Sequence, residues 1–287
     1  MILASVVFDG AIRVRNWPKS MLAQGSCGAG PDETSSCANS LRGFVPTSDG
    51  KTGGAQQCCS ATREEGSVNR NGLIDSDKIT AARLIGGTDK DGFPAEVAWE
   101  AAPPARFDAD WRGLHADAER ETEVRLLWTP ETLYLRFVAR YRSITVFPDA
   151  DERGWRDRLW DRDVCELFLQ ADTTELRRYK EFEVAPNGFW IDLEITPGEK
   201  RDLRSGMRRR VEIDEMARRW RAVVALPMKS LTARFDPAAV WRVNFFRVEG
   251  AVEPRFYSAW RATGTSEPNF HVPEAFGKLV FAQAGER

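Results

Sequence analysis

Two short runs of alternating apolar and polar residues, Tyr179 to Ala185 and Phe189 to Ile195, are joined by Pro186-Asn187-Gly188. An Asn-Gly pair between such runs marks a tight hairpin, because the turn needs backbone angles that these residues tolerate. Runs of this length, with turn residues between them, recur from about Ile79 onward. They are Ile79 to Ile85, Thr122 to Trp128 with its hairpin partner Thr132 to Arg140, Asp163 to Gln170, Arg208 to Ile213 with Arg219 to Leu226, Trp241 to Val248, Arg255 to Trp260, and Gly277 to Phe281. Helical signals are brief: Ala95 to Ala101, bounded by Pro94 and Pro103-Pro104, and one turn at Met228 to Leu231. About ten short strands without a long helical period predict an all-β chain, folded as a two-sheet antiparallel β-sandwich of the jelly-roll kind.

Residues 1 to 78 have a different texture. They hold Cys27, Cys37, Cys58 and Cys59 and ten of the 22 glycines, but only Phe8, Trp17 and Phe44 among the aromatics. Such a stretch cannot bury enough apolar surface to offset chain entropy, so it reads as a disordered or spurious extension ahead of one domain over 79 to 287. The cysteine gaps contain no C-x2-C and no histidine lies near, which argues against zinc. Met1 to Phe8 is apolar, but it lacks a basic leader and runs into Asp9, making a poor signal peptide. A net charge of −2 and a pI near 5.9 leave no broad basic field for nucleic acid or anionic membrane. No stretch approaches the ~18 apolar residues of a membrane span.

The alternation also sorts side chains onto faces. In Asp163 to Gln170, Cys165, Leu167 and Leu169 form a core face and leave Glu166 between Val164 and Phe168 on the other. A carboxylate between apolar neighbours is costly unless that face receives polar ligands. Phe182 and Val184 likewise turn Tyr179, Glu181 and Glu183 away from the core. Taking Phe189, Ile191, Leu193 and Ile195 as core residues turns Trp190, Asp192 and Glu194 away as well. If these strands are neighbours, one face carries Glu166, Tyr179, Glu181, Glu183, Trp190 and Asp192. Aromatic rings stack on the C–H side of a pyranose and carboxylates take its hydroxyls, so this face suits a sugar. An ordinary solvated outer face has a similar composition.

Four stretches carry a family resemblance: LYLRFVAR (Leu133 to Arg140), LWDRDVCELFLQ (Leu159 to Gln170), YKEFEVAPNGFWIDLEI (Tyr179 to Ile195), and WRVNFFRVEG (Trp241 to Gly250) with the ending Phe256 to Phe281. In order and spacing, over about 79 to 283, they resemble the family 9 carbohydrate-binding modules and the wider group of DOMON-like β-sandwiches. The resemblance implies non-catalytic carbohydrate binding linked to polysaccharide breakdown, in a sandwich whose sugar slot is walled by two tryptophans. It also implies an extracellular or periplasmic location and carbohydrate-active enzymes as partners. Trp160 matches one wall and Trp260 the other, Glu166 the carboxylate that binds hydroxyls, and Asn244 an amide at the slot. Arg247 joins them only through a bulge, because alternation puts it on the face opposite Asn244. Glu181 and Trp190 are added from the face pattern. Two departures bear on the ligand: the entry signature is blurred to Thr88-Asp89-Lys90-Asp91-Gly92-Phe93, and Asp149 to Arg158 forms an insertion.

Rival chemistries have weaker signals. The family often binds structural calcium, and Asp149 and Asp151 open a loop like that of an EF-hand. Arg153 then sits where an oxygen ligand belongs and Trp160 where the last glutamate should be. No other cofactor is predicted; haem would have only His115 and His271 as imidazole ligands. The alternative functions are a carbohydrate-active hydrolase that uses paired carboxylates such as Glu166, Glu181, Glu183 and Asp192, and a DOMON-like redox or interaction module.

Overall fold

The computed structural model describes residues 77–283; the N-terminal extension with its four cysteines lies outside the described residues, as do 284–287. The strands are β1 (Lys78–Arg83), β2 (Ala105–Phe107), β3 (Thr122–Trp128), β4 (Thr132–Arg140), β5 (Val164–Gln170), β6 (Tyr179–Val184), β7 (Trp190–Thr196), β8 (Glu199–Asp202), β9 (Arg208–Asp214), β10 (Arg219–Pro227), β11 (Trp241–Glu249), β12 (Phe256–Ala259) and β13 (Gly277–Phe281). One turn of helix, α1 (Met228–Leu231), follows β10. Every strand read from alternation is present. The two that were not read, β2 and β8, have only three and four residues, too few to show a period.

Hydrogen bonding runs without a break in the order β8-β7-β6-β5-β11-β13-β1-β3-β4-β10-β9, with β12 on β11 and β2 on β3. The path curls over so that β5, β6 and β11 face β3, β4 and β10. Cys165, Leu167, Leu169, Phe182, Val184 and Phe245 from one layer pack with Leu126, Leu135, Phe137, Trp220 and Val224 from the other. Phe137 meets Phe245 edge-on with ring centres 6.2 Å apart. The pairings are antiparallel except where β1 joins β13 and β3, both parallel. Those two ladders stitch the layers into one curled mixed sheet. Side-chain alternation has the same period in either direction, so it could not distinguish them.

The β6–β7 hairpin forms as the Asn-Gly signal predicts. Gly188 takes φ 83° and donates its N–H to Ala185 O at 2.9 Å, while Asn187 Nδ2 reaches Phe147 O at 3.0 Å. A second apolar cluster covers the outer face of the same layer: Val164, Phe168, Tyr179, Ile191, Leu193, Ile195, Phe246 and Val248. Half-buried Phe147, Trp155, Trp160, Phe189, Tyr257 and Phe270 ring it. This second core corrects one face assignment. The register sets Glu183 opposite Ile191 and Glu181 opposite Leu193, so the apolar residues of β7 share the carboxylate face. Trp190 and Asp192 project to the inner face, opposite Glu166. Apolar residues mark a core, but this layer has one on each side, and the sequence pattern does not say which.

Candidate functional site

The outer face of β5, β6 and β11 is built around three glutamates. Glu166 lies directly opposite Glu183 across the β5–β6 ladder, and Glu181 is two residues along β6, opposite Phe168. On the other side Glu166 faces Phe246. Carboxylate oxygens of all three lie within 4.8 Å of one another. The glutamates are 2%, 2% and 1% exposed in chain order. Glu166 Oε1, Glu181 Oε2 and both oxygens of Glu183 accept no hydrogen bond from any protein donor. Burial holds Glu166 and Glu183 well above the usual carboxylate range, and the neighbouring carboxylates push them further in the same direction.

The surroundings come from distant parts of the chain. A 3-10 turn, Leu159–Asp161, enters β5 from Arg158, which adopts the left-handed region at φ 55°. Leu159 is buried in the outer core, and Trp160 is turned onto its rim, half-buried. Lys200 on β8 places its ammonium 4.9 Å from the centre of the Trp160 ring and 3.0 Å from His271 Nε2. The other ring nitrogen of His271 lies 2.8 Å from the Tyr179 hydroxyl, and the imidazole stacks on Phe168 at 5.2 Å. With Lys200 donating to Nε2, the neutral ring carries its proton on Nδ1 and donates to Tyr179. Desolvation lowers the His271 pKa; the Glu181 carboxylate opposes that shift and the Lys200 charge adds to it. Burial, with help from Glu181, raises that of Tyr179.

The residues singled out in the sequence divide between the two faces. Trp160, Glu166 and Glu181 come together on the outer face. Asn244 stands opposite Phe168 on the same face, but its amide is committed: Nδ2 donates to Arg261 O, and Oδ1 accepts from Arg261 N and Phe245 N, each at 2.9 Å. Arg247 pairs with Cys165 and points between the layers, fully buried, with Nη2 3.0 Å from Glu249 and the guanidinium 5.5 Å over Trp220. No bulge brings it to the outer face. Trp260 packs against the inner core, 5.5 Å from Phe245. A Cβ on Gly277 would come within 2.8 Å of the Trp260 ring, so that close approach requires glycine. Trp160 and Trp260 therefore lie against opposite faces of one layer and do not wall a common slot. Trp190 packs on the inner side beneath Arg209, whose guanidinium is 5.0 Å away, and donates Nε1–H to Arg153 O at 3.0 Å.

Sequence reasoning missed Lys200, His271 and Tyr257. Lys200 comes from the short strand β8 and His271 from the loop between β12 and β13, 71 positions apart in the chain. Tyr257 stands opposite Val248 on the outer face, and only the β11–β12 register reveals this. Beside it an open cleft of about 520 Å³ is lined by Trp111, Asp117, Arg120, Arg142, Arg255 and Tyr257, among others. Arg255 links this cleft to the rim by donating to Trp160 O at 2.8 Å. In the acidic insertion both calcium candidates have protein contacts. Asp151 Oδ1 accepts the N–H groups of Arg153 and Trp155 at 2.8 and 2.7 Å, and the exposed Asp149 faces Arg156 at 3.9 Å.

This architecture has known counterparts. A protein of Bacteroides uniformis assigned to carbohydrate binding superposes with a TM-score of 0.58 at 15% identity, covering 72% of this chain and 99% of its own. A family 9 carbohydrate-binding module of Caldicellulosiruptor kristjanssonii, solved with cellotriose, gives 0.53 at 13% identity over 71% of this chain and 93% of its own. Its glucose complex gives 0.53 at 13% identity over 73% and 98%. The fold is shared with these modules. No protein-family model matches the chain. A protein of Arthroderma benhamiae, named only as an extracellular protein, is 24% identical over 178 residues, which span 56% of this chain and 78% of its own. Among the described residues, no helix is long and apolar enough to cross a membrane.

Proposed function

We propose that the domain is a non-catalytic carbohydrate-binding module whose saccharide lies on the rim of the outer face, with Trp160 as its stacking surface and Glu166 as a hydroxyl acceptor. The observation that carries this reading is a half-buried indole on the rim of the outer face, which also carries buried carboxylates whose oxygens lack donors. A sugar supplies what that site lacks: a C–H face for the ring and hydroxyl protons for the acceptors. The solved modules of the same fold, with glucose and cellotriose bound, support the same class of ligand. A location outside the cytoplasm, and a role beside enzymes that break down polysaccharide, belong to the same reading.

Lys200 lies where the saccharide would stack. Its ammonium is 4.9 Å from the Trp160 ring centre on a long, exposed side chain, so a ligand can displace it at the cost of one cation–π contact, about 0.5–1 kcal/mol. Calorimetric titration with glucose, cello-oligosaccharides and a wider glycan panel tests the proposal. Saturable binding that Glu166→Gln weakens by about tenfold or more, as expected for a charged hydrogen bond of ~1.5–3 kcal/mol, supports it. No heat with any saccharide at millimolar concentration would sink it.

A further inference from the structure

The open cleft of about 520 Å³ beside Tyr257 has no part in the rim described so far. Its volume falls in the ~300–1,000 Å³ range of small-molecule sites. Three segments build it: the loop from β2 to β3 with its 3-10 turn Ala118–Arg120, the residues just after β4, and the start of β12. In its lining arginines outnumber carboxylates three to two: Arg120, Arg142 and Arg255 against Asp110 and Asp117. The carboxylates are spent within the protein. Asp110 Oδ1 accepts the N–H groups of Arg112 and Leu114 at 2.9 and 3.0 Å, and Oδ2 accepts two nitrogens of the Arg112 guanidinium. That fills the lone-pair sites of a carboxylate. Asp117 takes Glu119 N and Arg142 Nη2 on Oδ1 and Arg120 Nε on Oδ2. Burial opposes the ionisation of both, and the hydrogen bonds from Arg112 and Arg120 outweigh it, so both pKa values lie below the usual carboxylate range.

The guanidiniums keep donors in reserve. Arg120 uses Nε on Asp117; Arg142 uses Nη2 on Asp117 and Nε on the exposed Glu119; Arg255 uses Nε on the exposed Glu253 and Nη1 on the Trp160 carbonyl. Among the described residues no acceptor hydrogen-bonds Arg120 Nη1 or Nη2, Arg142 Nη1 or Arg255 Nη2. Two of these groups are held on rings, Arg120 4.1 Å over Phe256 and Arg255 4.8 Å over Tyr257. Stacking pre-organises the planar fork, and a fork with free terminal N–H groups matches a carboxylate. Half-buried Trp111 and Tyr257 meet edge-on at 6.2 Å and add ring surface beside the arginines. A ligand that suits this lining carries an anionic group and an apolar face. An acidic sugar has both, a carboxylate on a ring whose C–H side packs on an aromatic.

We propose that the cleft is a subsite for an acidic saccharide of the uronic-acid type, its carboxylate held by Arg120 and Arg142 and its ring packed in the Trp111–Tyr257 corner. The inference rests on the saccharide reading of the rim and gives it a substrate class. Tyr257 borders both the outer-face cluster and the cleft, and Arg255 bonds the Trp160 carbonyl at 2.8 Å, so one chain can run from the indole to the arginines.

At neutral pH the full chain is titrated calorimetrically with trigalacturonate and with cellotriose, at low and at physiological salt. The acidic chain should bind about tenfold more tightly than the neutral one, the scale of one charge-assisted hydrogen bond. That margin should shrink several-fold as salt rises. Arg142→Gln should cut the preference to about twofold; this side chain is 54% exposed, so the variant stays folded. Arg120→Gln, as a second variant, should do the same. No heat with trigalacturonate overturns the proposal, whatever cellotriose does. Equal affinity for the two chains overturns it and leaves the neutral reading of Trp160 standing. A preference that Lys200→Met removes and Arg142→Gln keeps overturns it too, because it puts the carboxylate on the indole rim. If trigalacturonate binds through Arg142 while cellotriose gives no heat and Trp160→Ala changes neither result, the cleft assignment holds and the rim reading fails.

Discussion

β5 and β11 carry buried charge on both faces, and the two clusters are arranged differently. On the inner face Arg247 bonds Glu249 at 3.0 Å, Glu249 accepts the N–H groups of Arg142 and Ser143, and Asp163 accepts Gly250 N–H at 2.6 Å. Arg247 Nε and Nη1 and Asp163 Oδ2 remain without protein partners, yet this set mixes donors with acceptors and a cation with anions. On the outer face the three glutamates offer acceptors only, all of one sign. A fold tolerates the first arrangement as structure, because its charges answer one another. The second persists only as a protonated set or with something bound, and the proposed saccharide site rests on that contrast.

The comparison breaks most easily at Arg247. Removing it, as in Arg247→Met, leaves Glu249 and Asp163 buried without their cation, which should cost about 3–5 kcal/mol and lower the melting point by roughly 10 °C. If the variant keeps its stability and loses saccharide binding, Arg247 belongs to the sugar site and the face assignment is reversed.

Asp163 sharpens the same point through pH. Burial pushes its pKa up to about 6 from 3.8, despite the Arg247 charge beside it. Above pH 6 it is ionised in the fold at a cost. As pH falls toward 3.8 the native state takes up the proton before the unfolded chain does, and the cost is relieved. Acidification from pH 7 to about 4.5 should therefore add about 2 kcal/mol from this group. Denaturant melts of the wild type and Asp163→Asn across that range check it, with a flatter slope expected in the variant.

Smaller effects belong to the rim. Lys200→Met frees the indole face, so saccharide affinity should rise a few-fold, on the scale of a lost cation–π contact of ~0.5–1 kcal/mol. Weaker binding in this variant would mean that Lys200 holds the sugar itself.

Much of this was legible in the sequence. Alternation found the strands from β3 to β7 and the hairpins that join them, and it placed Cys165 inward, where burial pushes its thiol up to about 12. It also placed Glu166, Glu181 and Glu183 on one face. It failed at β7, because apolar residues there serve the outer core and not the inner one. Family resemblance paired Trp160 with Trp260. The register that sets Phe246 opposite Ala259 and Val248 opposite Tyr257 turns Trp260 to the other side, and cross-strand register is not written in the local pattern. Lys200 and His271 were not read as neighbours of this site for a similar reason: β8 is too short to show a period, and a loop delivers His271.

Two tryptophans together report on which face holds the ligand. Melting curves and cellotriose titrations of Trp160→Ala and Trp260→Ala form one paired measurement. Trp160→Ala should lose about 1–3 kcal/mol of binding, tenfold or more, and change the melting point little. Trp260→Ala opens a hole against Phe245 and should lose about 2–4 kcal/mol of stability while its folded fraction binds normally. If both variants melt like the wild type and both lose the saccharide, the two indoles wall one slot and the opposite-face arrangement is wrong.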